Sequence, residues 1–194
     1  MRTVILDNGH GKETSGKRSP VWPDGSQLLE WEFNRDIVCR LSEMLVRNGI
    51  PYEVLVPEMS DVPLSERCRR ANEIYDWEEG DCILISIHGN AGGGTGWEAY
   101  TTRGETKADE LASLLYEEAE REFIRDGWRI RKDFADGDAD KESDFYILKH
   151  TKAPAVLTEN FFMDNERDCR LMLSAEGRER IARVHFNAIK RFKL

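Results

Sequence analysis

The sequence predicts an α/β sandwich built on a mainly parallel sheet. Strand-like and helical segments alternate along its 194 residues, the pattern left by helical crossovers between parallel strands. Cys82 to Ile87 is a continuous apolar run, as expected of a strand covered on both faces. Ile37, Val38, Leu41, Met44 and Leu45 share one helical stripe, the mark of a helix packed against such a sheet.

The elements follow in order. Thr3 to Leu6 is β-rich and ends at Asp7-Asn8-Gly9, and a loop rich in Gly, Pro and Ser runs from Gly11 to Ser26. The first helix follows and is stopped by Asn48-Gly49 and Pro51, with Gly49 suited to a left-handed cap. Tyr52 to Val56 reads as a strand, Leu64 to Trp77 as a helix and Cys82 to Ile87 as the central strand. Beyond the glycines Gly92-Gly93-Gly94, Trp97 to Thr102 reads as a strand, and Ala108, Leu111, Ala112, Leu115 and Ala119 mark a long amphipathic helix. Arg125 to Asp144 is polar and irregular. Phe145 to Leu148 and Ala155 to Thr158 read as short strands. Ser174 is placed to cap a final helix whose inner face is Ile181, Val184, Ala188, Ile189 and Phe192. No internal repeat or linker divides the chain, so one domain over residues 1–194 is expected.

Charged residues make up 34% and the net charge is −9, which argues against nucleic-acid binding and against simple adhesion to an anionic wall or membrane. Cys39, Cys68, Cys82 and Cys169 form no C-x-x-C, so a zinc ribbon is not expected. Cys39 and Cys82 lie in apolar runs and are expected as buried thiols. The opening Met1 to Asp7 is strand-like and unlike a secretory leader. No run reaches the ~20 apolar residues of a membrane span.

In α/β sheets, sites form beyond the carboxyl ends of strands. Three strand ends carry chemically able side chains: Asn8-Gly9-His10-Gly11, Ser86-Ile87-His88-Gly89-Asn90 and Thr158-Glu159-Asn160. Two imidazoles and a carboxylate at one sheet edge suit a metal, and zinc accepts both donor types. Glu30 at the start of the first helix is a candidate third ligand, with Glu32 its local rival. His185 fits the inner face of the last helix and reads as core, and His150 lies in a loop. Trp22, Trp31, Trp97 and Trp128 are expected to pack in or at the edge of the core.

These residues carry a family resemblance. Met1 to Gly11 resembles the opening strand of the zinc-dependent N-acetylmuramoyl-L-alanine amidases of the bacterial cell wall, which ends in Gly-His-Gly. Glu30-Trp31-Glu32-Phe33-Asn34 resembles their Glu-x-x-x-Asn helix start, with Leu41 seven residues after Asn34, and this registration selects Glu30 over Glu32. Ser86 to Ala91 resembles their Ser-Ile-His-x-Asn-Ala, and Gly96 to Tyr100 their Gly-x-Glu-x-Tyr. Pro154 to Glu159 resembles the strand bearing the catalytic glutamate, continued by Phe161, Asn165, Asp168 and Leu171. The resemblance implies zinc held by His10, Glu30 and His88, Glu159 as the catalytic carboxylate, and a three-layer sandwich with about six strands. It also implies peptidoglycan as substrate, cut between N-acetylmuramic acid and L-alanine. Asn90 is a candidate substrate contact, with turn formation the competing role. Three places depart from the pattern: Asp7-Asn8 replaces a common Pro, Gly89 a common Ala, and Asn160-Phe161-Phe162 the usual Val-Gly-Phe. A monomer acting on the wall is expected, as a phage-type endolysin or a host enzyme with a trimmed leader.

Rival motifs fail on context. Gly11 to Lys17 has the G-x-x-x-x-G-K spacing, but Arg18 replaces the magnesium-binding hydroxyl and Pro20 and Pro23 forbid the following helix. Gly94 to Ala99 fits a dinucleotide fingerprint but leads into a strand. Asp136, Asp138, Asp140, Glu142 and Asp144 alternate without the glycine and glutamate of a calcium loop, so a solvated acidic loop is expected. A loop at this place can alternatively cover the active site. H-E-x-x-H is absent, which weakens a zinc-peptidase reading. A non-catalytic wall-binding module would need one of the four site residues replaced.

Overall fold

A computed structural model describes residues 3–135 and 137–192; Met1, Arg2 and Asp136, all used above, lie outside the described residues. The order is β1 (Thr3–Asn8), α1 (Glu30–Arg47), β2 (Tyr52–Val54), α2 (Leu64–Trp77), β3 (Cys82–Asn90), β4 (Trp97–Thr101), α3 (Lys107–Phe123), β5 (Lys141–Glu142), α4 (Tyr146–His150), β6 (Ala155–Phe162), α5 (Glu166–Leu173) and α6 (Ala175–Arg191). The six strands form one sheet in the order β2-β1-β3-β6-β4-β5. The strands β2, β1, β3 and β6 run parallel, and β4 meets β6 antiparallel.

Alternation along the strands divides the core in two. Val4, Leu6, Ile83, Ile85, Ile87, Val156 and Ala99 face α1, α3 and α6. Ile5, Cys82, Leu84, Ala155 and Leu157 face α2 and α4. On this second face the residues two or four steps further along are polar: Asp7, Ser86, His88 and Glu159. Period-two geometry therefore places the chemistry on one face, just above an apolar floor.

Helix ends follow local rules. Thr106 and Asp109 form a reciprocal capping box on α3, and Ser174 caps α6 through Gly177 N. Gly49 takes a positive φ of 66° after α1. His185 is wholly buried, with Nε2 2.9 Å from Thr158 Oγ1 and Nδ1 2.8 Å from Ile181 O.

Four expectations are corrected. Phe145 to Leu148 is not a strand; α4 begins at Tyr146 and buries Ile147 and Leu148 together. Two adjacent buried residues suit a helix face, but so short a run shows no period. The last strand runs on through Glu159 to Phe162. Cys39 is exposed while Cys82 is buried, because position 39 turns away from the Ile37, Val38, Leu41, Leu45 stripe. Asp140 is only 2% exposed, so the acidic stretch is not a simple solvated loop.

Asp140 Oδ2 accepts from Thr101 Oγ1 at 2.6 Å, while Oδ1 has no partner. Burial, with Asp138 adding to it, pushes this carboxyl up to about 7. The folded chain thus holds a proton that the unfolded chain releases at about pH 4. Stability is present below that value and is lost as pH rises through the folded pKa. Asp140→Asn is expected to raise Tm more at pH 8 than at pH 5. Equal melting of variant and wild type at both pH values would refute the cost assigned to this carboxyl.

Candidate metal centre and catalytic carboxylate

The site is assembled from β1, α1, β3 and β6. His10, just past β1, is left-handed with φ 63°, a conformation that costs a non-glycine residue about 1–2 kcal/mol. Its carbonyl is fixed by two arginines, Arg35 Nη1 at 2.9 Å from α1 and Arg67 Nη2 at 3.4 Å from α2. Asn34 Nδ2 donates to Gly9 O at 3.0 Å, tying the same loop to α1. Gly9 is needed for close approach, since a Cβ there would lie 2.1 Å from His88 Cε1.

Glu30 opens α1. The long loop folds back to place it, with Glu30 N donating to Lys17 O and Ser19 N to Leu28 O. Glu30 Oε1 lies 3.2 Å from His10 Nε2, from His88 Nδ1 and from Gly89 N. The ligand atoms of His10, Glu30 and His88 all lie within 4.8 Å of one another. Burial alone would raise the Glu30 carboxyl, but hydrogen bonds from His10 and His88 outweigh it and hold the group well below the usual range. Burial pulls the His10 imidazole down. For His88 burial also pulls down, but its bond to Glu30 prevails and raises it. Among the described residues Glu30 Oε1 is the one partner of His10 Nε2, and Glu30 Oε2 is buried with no hydrogen bond, Lys17 Nζ standing 3.9 Å away. An ionised carboxylate and two imidazoles converging on one point are the donor types that hold a dication of the zinc type.

Glu159 stands beside His88 in the β3–β6 ladder and opposite Glu98 in the β6–β4 ladder. Its Oε2 is buried without a partner. Burial pushes the carboxyl up to about 7; His88 and Lys17 oppose the shift, and Glu30 and Glu98 add to it. Directly after Glu159 the register slips, so that His88 pairs Glu159 but Asn90 pairs Phe162. This is a bulge, and Phe161 within it is left-handed at φ 70°. Its ring packs edge-on against Phe123 and Trp128. The usual glycine would adopt this backbone freely, so packing replaces conformational freedom here. Gly89 is explained too: a Cβ there would lie 2.7 Å from Met172 Cε.

Arg67 escaped the sequence reading, as did the bonds made by Asp7, Ser86 and Asp168. Arg67, 2% exposed, binds Asp7 Oδ1 at 2.6 Å, Asn8 O at 2.9 Å and Val62 O at 2.8 Å. Ser86 Oγ takes the other Asp7 oxygen at 2.6 Å. The Asp7 departure thus builds a buried ion pair beneath the histidines. Asp168 holds the glycine loop through Gly96 N and Thr95 Oγ1, and accepts from Phe162 N. Asn90 commits its amide to Glu98 Oε1 at 2.7 Å and its oxygen to Ala91 N at 2.8 Å. His150 is exposed at the end of α4. A cavity of about 210 Å³ opens beside His10 and His88, walled by Asp61, Val62, Pro63 and Leu64.

The sequence profile of the family described as N-acetylmuramoyl-L-alanine amidase matches residues 4–191. The chain belongs to this family. The amidase is 31% identical to the N-acetylmuramoyl-L-alanine amidase CwlM of Bacillus licheniformis, over 98% of this chain and 68% of that protein. It is 29% identical to the endolysin of Bacillus phage SPP1, over 97% of this chain and 65% of that protein. Its fold superposes on the N-acetylmuramoyl-L-alanine amidase from Clostridium difficile 630 with TM-score 0.80 at 22% identity, covering 98% and 96% of the two chains. The catalytic domain of CwlV from Bacillus (Paenibacillus) polymyxa var. colistinus superposes with TM-score 0.77 at 20% identity, covering 99% and 98%. Among the described residues no helix is long and apolar enough to cross a membrane.

Proposed function

We propose that this cell-wall amidase cleaves the bond between N-acetylmuramic acid and L-alanine with zinc held by His10, Glu30 and His88 and with Glu159 as general base and acid. The observation that carries the reading is the convergence of the three ligand atoms within 4.8 Å, beside a Glu159 oxygen that has no partner. A bound zinc ion supplies Lewis acidity and lowers the pKa of a water from 15.7 to about 7. Glu159 would accept a proton from the attacking water as the water oxygen adds to the amide carbonyl, and would return it to the alanine nitrogen as the C–N bond breaks. Burial of Glu159 makes both transfers accessible near neutral pH, since it pushes the carboxyl up to about 7. Asn90 acts through Glu98 on this reading, because its polar atoms are committed inside the protein.

The test is release of peptides with a free N-terminal L-alanine from purified peptidoglycan, after chelation and after zinc is restored. Release lost with chelator and regained with zinc is expected. Zinc binding without such peptides would keep the metal centre and overturn the bond assigned, moving a wall peptidase ahead.

A further inference from the structure

Across the sheet, Glu159 is flanked by His88 on β3 and by Glu98 on β4. The Glu98 side chain is 3% exposed and receives four donors. Asn90 Nδ2 and Tyr100 OH reach Oε1 at 2.7 and 2.8 Å. Arg131 Nε and Lys141 Nζ reach Oε2 at 2.5 and 2.6 Å. One carboxylate thus holds two cations. Glu98 is the one carboxylate paired with either of them among the described residues.

Most of their donors remain unspent. Arg131 uses Nε alone, so both terminal nitrogens are without a hydrogen-bond partner among the described residues. Lys141 uses one of its three N–H groups on Glu98. The guanidinium lies 5.2 Å from the Phe162 ring centroid and the ammonium 5.7 Å from that of Tyr100, which restricts both. Their side chains are 27% and 20% exposed, so they reach solvent from a rigid base. Two preorganised cations beside a catalytic carboxylate, on a chain of net charge −9, are a recognition element for an anion.

On the amidase reading Glu159 returns its proton to the departing amine, and its neighbour on the side away from His88 is Glu98 with the two cations, the side available to the peptide half. We propose that Arg131 and Lys141 form a subsite for a free carboxylate on the peptide half of the substrate, one that selects the carboxylate form of the residue after L-alanine over its carboxamide. The proposal rests on the amidase reading above.

The test compares kcat/KM for two N-acetylmuramoyl-L-alanyl peptides that differ only in carboxylate or carboxamide at the residue after alanine. Wild type is expected to favour the carboxylate by about 10–100-fold, the weight of a charge-assisted hydrogen bond, expressed mainly in KM. Arg131→Gln and Lys141→Gln, each leaving one cation on Glu98, are expected to shrink the ratio severalfold, and Lys141→Arg to keep it. The within-enzyme ratio is insensitive to partial misfolding. Equal kcat/KM for the two peptides in wild type, or an unchanged ratio in both glutamine variants, would overturn the subsite while leaving the amidase reading intact. Cleavage of neither peptide would overturn both.

Discussion

Glu159→Gln is expected to keep the metal centre and lower kcat by roughly 10²–10⁴-fold, the usual contribution of a general acid–base group. The amide is isosteric and reaches none of the three ligand atoms by any bond seen here, so zinc content by elemental analysis is expected to equal wild type. The wild-type profile of kcat/KM against pH is expected to show an acid limb at or below about 7, because the carboxyl lies at about 7 before a dication lowers it further. Activity rises with pH through that limb, since the base must be ionised. In Glu159→Gln the limb disappears. A variant with near wild-type kcat, or one that retains the same limb, would remove Glu159 from the role of base.

Arg67→Met is expected to cost about 3–5 kcal/mol of stability, the penalty for leaving one partner of a buried pair alone. The residue left behind is Asp7, 1% exposed, with Ser86 Oγ as its remaining donor. The guanidinium also holds the carbonyls of Asn8, His10 and Val62. Its loss therefore loosens the histidine loop as well as exposing a charge. Urea unfolding would measure the cost, and zinc titration of the folded variant is expected to show weaker binding. Arg67→Met combined with Asp7→Leu is expected to recover part of the stability, because the orphaned charge is gone. A loss below about 1 kcal/mol in the single variant would place this pair with surface ion pairs.

The fold was legible wherever a period had room to repeat. α1, α2, α3 and α6 each run 14 residues or more, so their buried stripes recur several times. α4 spans five residues and shows no period. The sequence ends this strand at Thr158 because Glu159 and Asn160 interrupt the apolar run, yet Asn160 is buried and bonded to His88 O and Trp97 Nε1. A polar residue whose partners lie on other strands looks like a strand end when only neighbours in sequence are visible. α5 was overlooked although Asn165 caps it and Glu166 and Asp168 fill its first turn. The candidate site was legible through glycine-flanked histidines at strand ends, and family registration chose Glu30. Arg35, Arg67, Arg131 and Lys141 were not, because an isolated basic residue has the same appearance in sequence whether it is solvated or buried against a partner 60 residues away.

The sheet order carries a consequence for synthesis. β6 lies between β3 and β4, although β3 and β4 are adjacent in the chain. A nascent polypeptide that has reached residue 150 already contains His10, Glu30 and His88, but β3 and β4 have nothing to join them. The strand that closes this gap is the one that carries Glu159. Joining β3 to β4 and bringing Glu159 beside His88 are therefore one event, made across long sequence separations. A fragment that stops before β6 therefore holds His10, Glu30 and His88, the zinc ligands proposed above, and lacks Glu159, the proposed base.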